Sequence, residues 1–207
     1  NLYFREPESR ADQTRMMSIV TTGAETGYYV DVFRSRKEKG GDKMHDYFYH
    51  NLGQTLTLTA ADGSDLNLQP TEELAFAGAH LYAYSYLYDK KVAATAKDVK
   101  ATFTIDMKDK DGDDIYMNLW MKGEPDREVF TALAPMTEGL SRTPNMPYNI
   151  KEQPTLTFVA RQHGEAWNRP FVSIYEPSTK KEPSAIQSVS YFDAEGAGLE
   201  DFAGICV

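Results

Sequence analysis

Apolar and polar residues alternate with a period of two along segment after segment of this chain, and that rhythm narrows its folds more than any other feature. Successive side chains of a strand point to opposite faces, so such alternation sets one face on a core and the other in water. It runs through 28–34 (YYVDVFR), 56–59 (LTLT) and 155–161 (TLTFVAR). Residues 100–107 (KATFTIDM) and 115–121 (IYMNLWM) flank the polar run 108–114, which predicts an antiparallel hairpin with a solvated tip. Residues 171–175 (FVSIY) and 186–191 (IQSVSY), around a loop with Pro177 and Pro183, predict a second antiparallel pair. Helical periodicity is confined to two short candidates, 71–77 after Pro70 and 126–133. Gly and Pro interrupt the pattern at the spacing of an antiparallel sandwich. The prediction is an all-β, antiparallel, supersandwich-like β-sandwich of about ten to fourteen strands with few short helices. The segment 136–153 is the long irregular connection in which a functional loop would sit.

With 207 residues the chain has the length of one domain, and its 13 Tyr, 10 Phe and 2 Trp supply a real core. The opening Asn1-Leu2-Tyr3-Phe4 has the look of a cleaved tag, so 1–14 is expected to be a tag remnant or flexible lead-in and 15–207 a single sandwich. No apolar run approaches the roughly 20 residues that span a bilayer as a helix. The net charge of −9 argues against a nucleic-acid partner, because phosphate backbones are bound mainly by Lys and Arg. An acidic polysaccharide stays open, provided a local basic cleft outweighs the global sign. The single cysteine, Cys206, excludes an internal disulfide framework and a Cys-based zinc site.

Four clusters could carry chemistry. In 43–51 (KMHDYFYHN), His45, Tyr47 and Tyr49 share one strand face while Asp46, Phe48 and His50 share the other, so the two histidines cannot form a joint metal site on a regular strand. Either histidine could hydrogen-bond or titrate at a cleft, or simply buffer a sheet edge. The aspartates around Gly112 resemble a calcium loop but lack its closing glutamate, Trp120 standing at that position, which favours a solvated turn and no bound metal. In 80–88 (HLYAYSYLY) four tyrosines and His80 would share a strand face, suited either to stacking on sugar rings or to an aromatic layer between sheets. Arg161, His163, Trp167 and Arg169 crowd one connection, where guanidinium forks could grip a carboxylate or sulfate while the indole stacks on a ring, or where an ordinary hairpin loop could lie. Glycine-rich phosphate loops, the G-x-S-x-G elbow and H-E-x-x-H are missing, which removes nucleotide hydrolysis, common serine hydrolases and zincins.

Taken in order, 15–20 (RMMSIV), 27–35 (GYYVDVFRS), Gly40-Gly41 and 45–53 (HDYFYHNLG) resemble the β-sheet domain of heparinase II/III-like polysaccharide lyases, in which a strand ending VDVFR runs into an HDYxxHxxG segment. Farther on, 154–161, then 171–177 (FVSIYEP) and 186–189 (IQSV), are similar to that family's closing pattern. The resemblance implies a periplasmic or secreted bacterial parent enzyme that cleaves uronic-acid polysaccharides by β-elimination, with an N-terminal (α/α) toroid absent from this chain. It implies no catalytic residue here and no metal or other cofactor, since the family's catalytic set and metal ligands lie largely upstream. His45, Asp46, Tyr47 and His50 match the family pattern, with a structural or cleft-lining role. The candidates for contact with an acidic polysaccharide are therefore His45, Tyr47, His50, Arg161, His163, Trp167 and Arg169. A stand-alone carbohydrate-binding module and a non-catalytic interdomain scaffold are the competing expectations.

Overall fold

A computed structural model describes residues 2–7, 9–75, 82–107, 112–137, 152–193 and 202–207. Two antiparallel sheets face each other, as the period-two pattern requires. Seven strands form the first: β1 (Leu2–Arg5), β2 (Asp12–Thr21), β3 (Gly27–Arg36), β5 (Thr55–Ala60), β8 (Val99–Ile105), β9 (Ile115–Met121) and β12 (Ala166–Thr179), in the spatial order β1-β2-β3-β12-β9-β8-β5. Five form the second: β4 (Met44–Asn51), β6 (Gln69–Pro70), β7 (Tyr88–Ala94), β10 (Arg127–Ala134) and β11 (Thr155–His163), in the order β4-β11-β10-β7-β6. A small pair, β13 (Ser190–Phe192) and β14 (Gly204–Cys206), stands apart.

The inter-sheet core draws Phe103, Leu119, Met121 and Phe171 from the wide sheet and Tyr47, Val129, Leu156 and Phe158 from the narrow one. The outer face of the wide sheet buries Trp120 and Ile174 beneath Val189, Tyr191 and Ile205. The outer face of the narrow sheet buries Phe130, Ala132 and Val159 beneath Leu74 and Leu87, with Phe48 and Tyr84 at the margin. Gly53 makes the passage between sheets: its φ of +145° is reserved for glycine, and a Cβ there would lie 2.5 Å from the Thr104 carbonyl oxygen. The chain thereby leaves β4 in one sheet and enters β5 in the other within four residues.

The expected hairpin of 100–107 and 115–121 is β8 paired with β9, from Val99 opposite Met121 to Ile105 opposite Ile115. Four other expectations give way. The 126–133 helix is strand β10, held between β7 and β11. Both of its faces are buried, Arg127 and Val129 inward and Phe130 and Ala132 outward, so its sequence lacks the alternation of a half-exposed strand. Over 71–75 the chain is irregular; Phe76 and Ala77 lie outside the described residues. The tyrosine segment is a 3-10 turn, Tyr82–Tyr86, rather than a strand. Residues 171–175 pair with β3 and β9, not with 186–191, whose last two residues join β14 instead. The Glu176 carboxylate ties that segment down by accepting from the Ser184 hydroxyl and from the amides of Ala185 (2.8 Å) and Ile186 (3.3 Å). Within 1–14, the stretch read as a tag remnant or flexible lead-in, residues 2–5 form β1, in register with β2 from Leu2 opposite Arg15 to Arg5 opposite Asp12, and the Tyr3 hydroxyl donates to Asp12 at 2.7 Å.

Candidate cleft at the start of strand β4

The β3–β4 connection contains Gly40 and Gly41, whose φ angles of 89° and 74° let the chain fold sharply over the start of β4. Beneath it lies a cavity of about 840 Å³, bounded by the inner face of β2 and β3, the connection itself, and the cover over the narrow sheet. This is the size of a pocket for a small organic ligand. Phe33, Leu74 and Ala75 give it an apolar lining, while His45, Asp42, Asp46 and Arg161 supply polar groups.

Those polar groups are arranged in pairs. Asp42 accepts the Lys37 amide at 2.5 Å and lies 2.6 Å from Nε2 of half-buried His45. Arg161 makes a two-pronged contact with Asp46, Nε and Nη2 each at 2.8 Å, and reaches Glu73 at 3.3 Å. The charge-assisted bonds to Asp46 hold the guanidinium above its ordinary pKa. Tyr84 donates to the same carboxylate at 2.7 Å; desolvation and the negative charge of Asp46 both push its phenol up. The Arg161 fork is thus engaged inside the protein instead of standing open for a substrate carboxylate.

Tyr47 points the other way from Asp46, into the sandwich. Its hydroxyl donates to Asp31 at 2.6 Å and is bonded to the Tyr175 hydroxyl, while Arg15 chelates Asp31 through Nε (2.9 Å) and Nη2 (2.6 Å). Desolvation raises the Tyr47 and Tyr175 phenols well above their usual range, and the Asp31 charge adds to it. Both stay protonated hydrogen-bond donors near neutral pH, the opposite of what a general base requires. Sequence reasoning missed Arg15, Asp31 and Tyr175. The available signal was Asp31 itself, a lone carboxylate between Val30 and Val32, with Tyr29 and Phe33 as its neighbours on the core-facing side of the strand.

The remaining candidates disperse. His50 lies on the outer face, stacked at 5.9 Å on Phe48 and bonded through Nδ1 to Thr157 at 2.9 Å; desolvation lowers its pKa. His163 contacts Glu128 at 2.7 Å, and Arg169 donates to the His163 carbonyl at 3.1 Å, both where β11 turns into β12. Trp167 borders a different cavity, with Met16, Val32 and Phe202, and carries the Arg36 guanidinium 4.1 Å over its ring. Of the seven expected contact residues, only His45 and Arg161 meet in the cleft. Tyr82, Tyr86 and Tyr88 are exposed, whereas Tyr84 is turned inward; His80, Asp109, Asp111 and most of 136–153 lie outside the described residues. Among the described residues no three His, Cys, Asp or Glu side chains converge as a metal site, and no helix is long and apolar enough to cross a membrane.

No family model matches the chain. Over 192 residues, 91% of its length, it is 33% identical to an endo-acting ulvan lyase of Formosa agariphila. It spans 22% of that relative. The chain is therefore similar, over nearly its whole length, to one part of a polysaccharide lyase.

Proposed function

We propose that the chain is the β-sandwich part of a heparinase II/III-like polysaccharide lyase, which cleaves a uronic-acid polymer by β-elimination in its full-length form. In this reading the cleft at the start of β4 forms one wall of the substrate path. The likeness to an endo-acting ulvan lyase across 91% of the chain carries the reading. β-Elimination needs a base at C5, neutralisation of the uronate carboxylate and an acid for the departing O4. The sandwich offers paired side chains around an apolar-floored cavity, a framework for positioning a sugar while other parts of the enzyme carry the proton transfers. The same resemblance implies work in the periplasm or outside the cell.

Elimination leaves an unsaturated uronate that absorbs in the ultraviolet. The 207-residue chain incubated with ulvan is expected to give no rise in absorbance, while a polypeptide extended to the relative's length gives one. A rise with the short chain that disappears in His45→Ala would overturn the assignment of catalysis to other parts of the enzyme. No rise with the extended polypeptide on any uronic-acid polymer would overturn the lyase reading.

The scaffold role has its own support. Leu2, Phe4, Met17 and Ile19 lie on the inner face of the wide sheet, in register with Arg15, Gln13, Asp31 and Tyr29, yet all four are exposed, Leu2 and Ile19 by more than 65%. Apolar side chains on a core-facing sheet surface suit burial against another domain.

A further inference from the structure

We infer that Lys37 and Lys43, rather than the arginines of the β11–β12 connection, read the anionic group of an acidic oligosaccharide at the mouth of the β4 cleft. The inference rests on the lyase reading for its ligand class and, for its residues, on which cations of the cavity lack a carboxylate partner. Asp42 is hydrogen-bonded by the Lys37 amide and His45, Asp46 by Arg161 and Tyr84, Glu73 by Arg161, and Glu6 by the Ser9 amide and hydroxyl. Lys37 and Lys43 also line the cavity, and among the described residues no carboxylate pairs with either ammonium. Lys37 is half-buried and Lys43 exposed, so one sits inside the mouth and the other on its lip. Glu6, Asp42, Asp46 and Glu73 give the lining four carboxylates against Lys37, Lys43 and Arg161, so the two ammoniums would act on an anion by direct contact and not through a positive local field.

A second, independent observation points inward from the same mouth. Ser35 lines the cavity, is 1% exposed, and its hydroxyl has no hydrogen-bond partner. A buried hydroxyl left without a partner is costly, and a ligand hydroxyl would supply one. Phe33 and Leu74 offer apolar surface beside it for the C–H face of a pyranose. The site therefore combines two free ammoniums at the mouth, an apolar seat and one unsatisfied hydroxyl at depth, in a volume suited to a few sugar rings. The shared chemistry is an anion on a sugar, either a uronate carboxylate or a sulfate ester.

Calorimetric titration of the 207-residue chain tests it, using four tetrasaccharides: an ulvan fragment, one carrying only carboxylates, one carrying only sulfates, and a neutral one. The ulvan fragment is expected to bind, with affinity falling as salt rises, and the neutral one not to bind. The carboxylate and sulfate arms identify which anion the lysines hold. The Lys37→Gln/Lys43→Gln variant should weaken binding at least tenfold with an unchanged melting temperature, and Ser35→Ala should weaken it several-fold. Equal binding by the double-lysine variant, equal binding of the neutral sugar, or no binding by the parent chain would each overturn the proposal. The lyase reading is judged separately, by unsaturated product from the full-length polypeptide.

Discussion

Removing the Asp31 carboxylate should unsettle this fold more than any change at its surface charges. Asp31 is 0% exposed and takes hydrogen bonds from Arg15 and Tyr47, behind which stands the Tyr175 hydroxyl. In Asp31→Ala, Arg15 is half in water and can turn outward, so its share of the loss is small. The two phenols have no such exit. Losing the charge-assisted bond from Tyr47 costs about 1.5–3 kcal/mol, and buried hydroxyls left unmatched add about 1–3 kcal/mol. The sum, about 2.5–6 kcal/mol, brackets the usual cost of breaking a buried ion pair from one side, about 3–5 kcal/mol. For a chain of this size that usual cost amounts to a drop of roughly 6–20 °C in melting temperature. Tyr47→Phe keeps the ring and the Arg15–Asp31 bonds, and should cost about 1.5–3 kcal/mol. Because both changes remove the same bond, the double variant should lose about 1–2 kcal/mol less than the sum of the singles. Urea unfolding of the four proteins, with the slope checked for constancy, measures the cycle. A loss under about 1 kcal/mol for Asp31→Ala, or additivity within about 0.5 kcal/mol, would refute the coupling.

Two further outcomes follow from single positions. Gly53→Ala forces a Cβ to within 2.5 Å of a backbone oxygen at a left-handed φ, and should destabilise by at least about 2 kcal/mol in the same urea assay; a smaller loss would mean that β4 and β5 can shift to admit it. Desolvation lowers the His50 pKa, so the folded state binds fewer protons there than the unfolded chain. That contribution is complete above the unfolded histidine value of about 6.5 and is lost as pH falls through it toward the lowered folded value. His50→Gln should flatten this part of the stability profile, and an unchanged profile would contradict the effect.

The sandwich was legible along segments where apolar and polar residues alternate. The period-two segments at 28–34, 56–59 and 155–161 lie in β3, β5 and β11, and His45 and His50 stand on opposite faces of β4 as strand geometry demands. Legibility failed where neighbours, not local pattern, set the conformation. Strand β10 is covered on both faces and so carries no alternation, whereas 82–88 carries perfect alternation and is a 3-10 turn leading into β7. The cleft was half legible. His45 and Arg161 could be named as chemically able residues, but Arg161 could not be known to be spent on Asp46, 115 positions away in the chain. Arg15, Asp31, Tyr47 and Tyr175 meet only through sheet register and facing of sheets, which no short-range spacing encodes.

The wide sheet projects past its partner as a ledge, and the strands that make the ledge do double duty. Leu2, Phe4, Met17 and Ile19 carry its bare surface, while Gln13 on the same hairpin and Glu6 and Ala11 in its turn form a side of the sugar-sized cavity. A partner settling on that ledge would press on the hairpin that walls the cavity, and would so couple its own seating to the width of the opening beside β4.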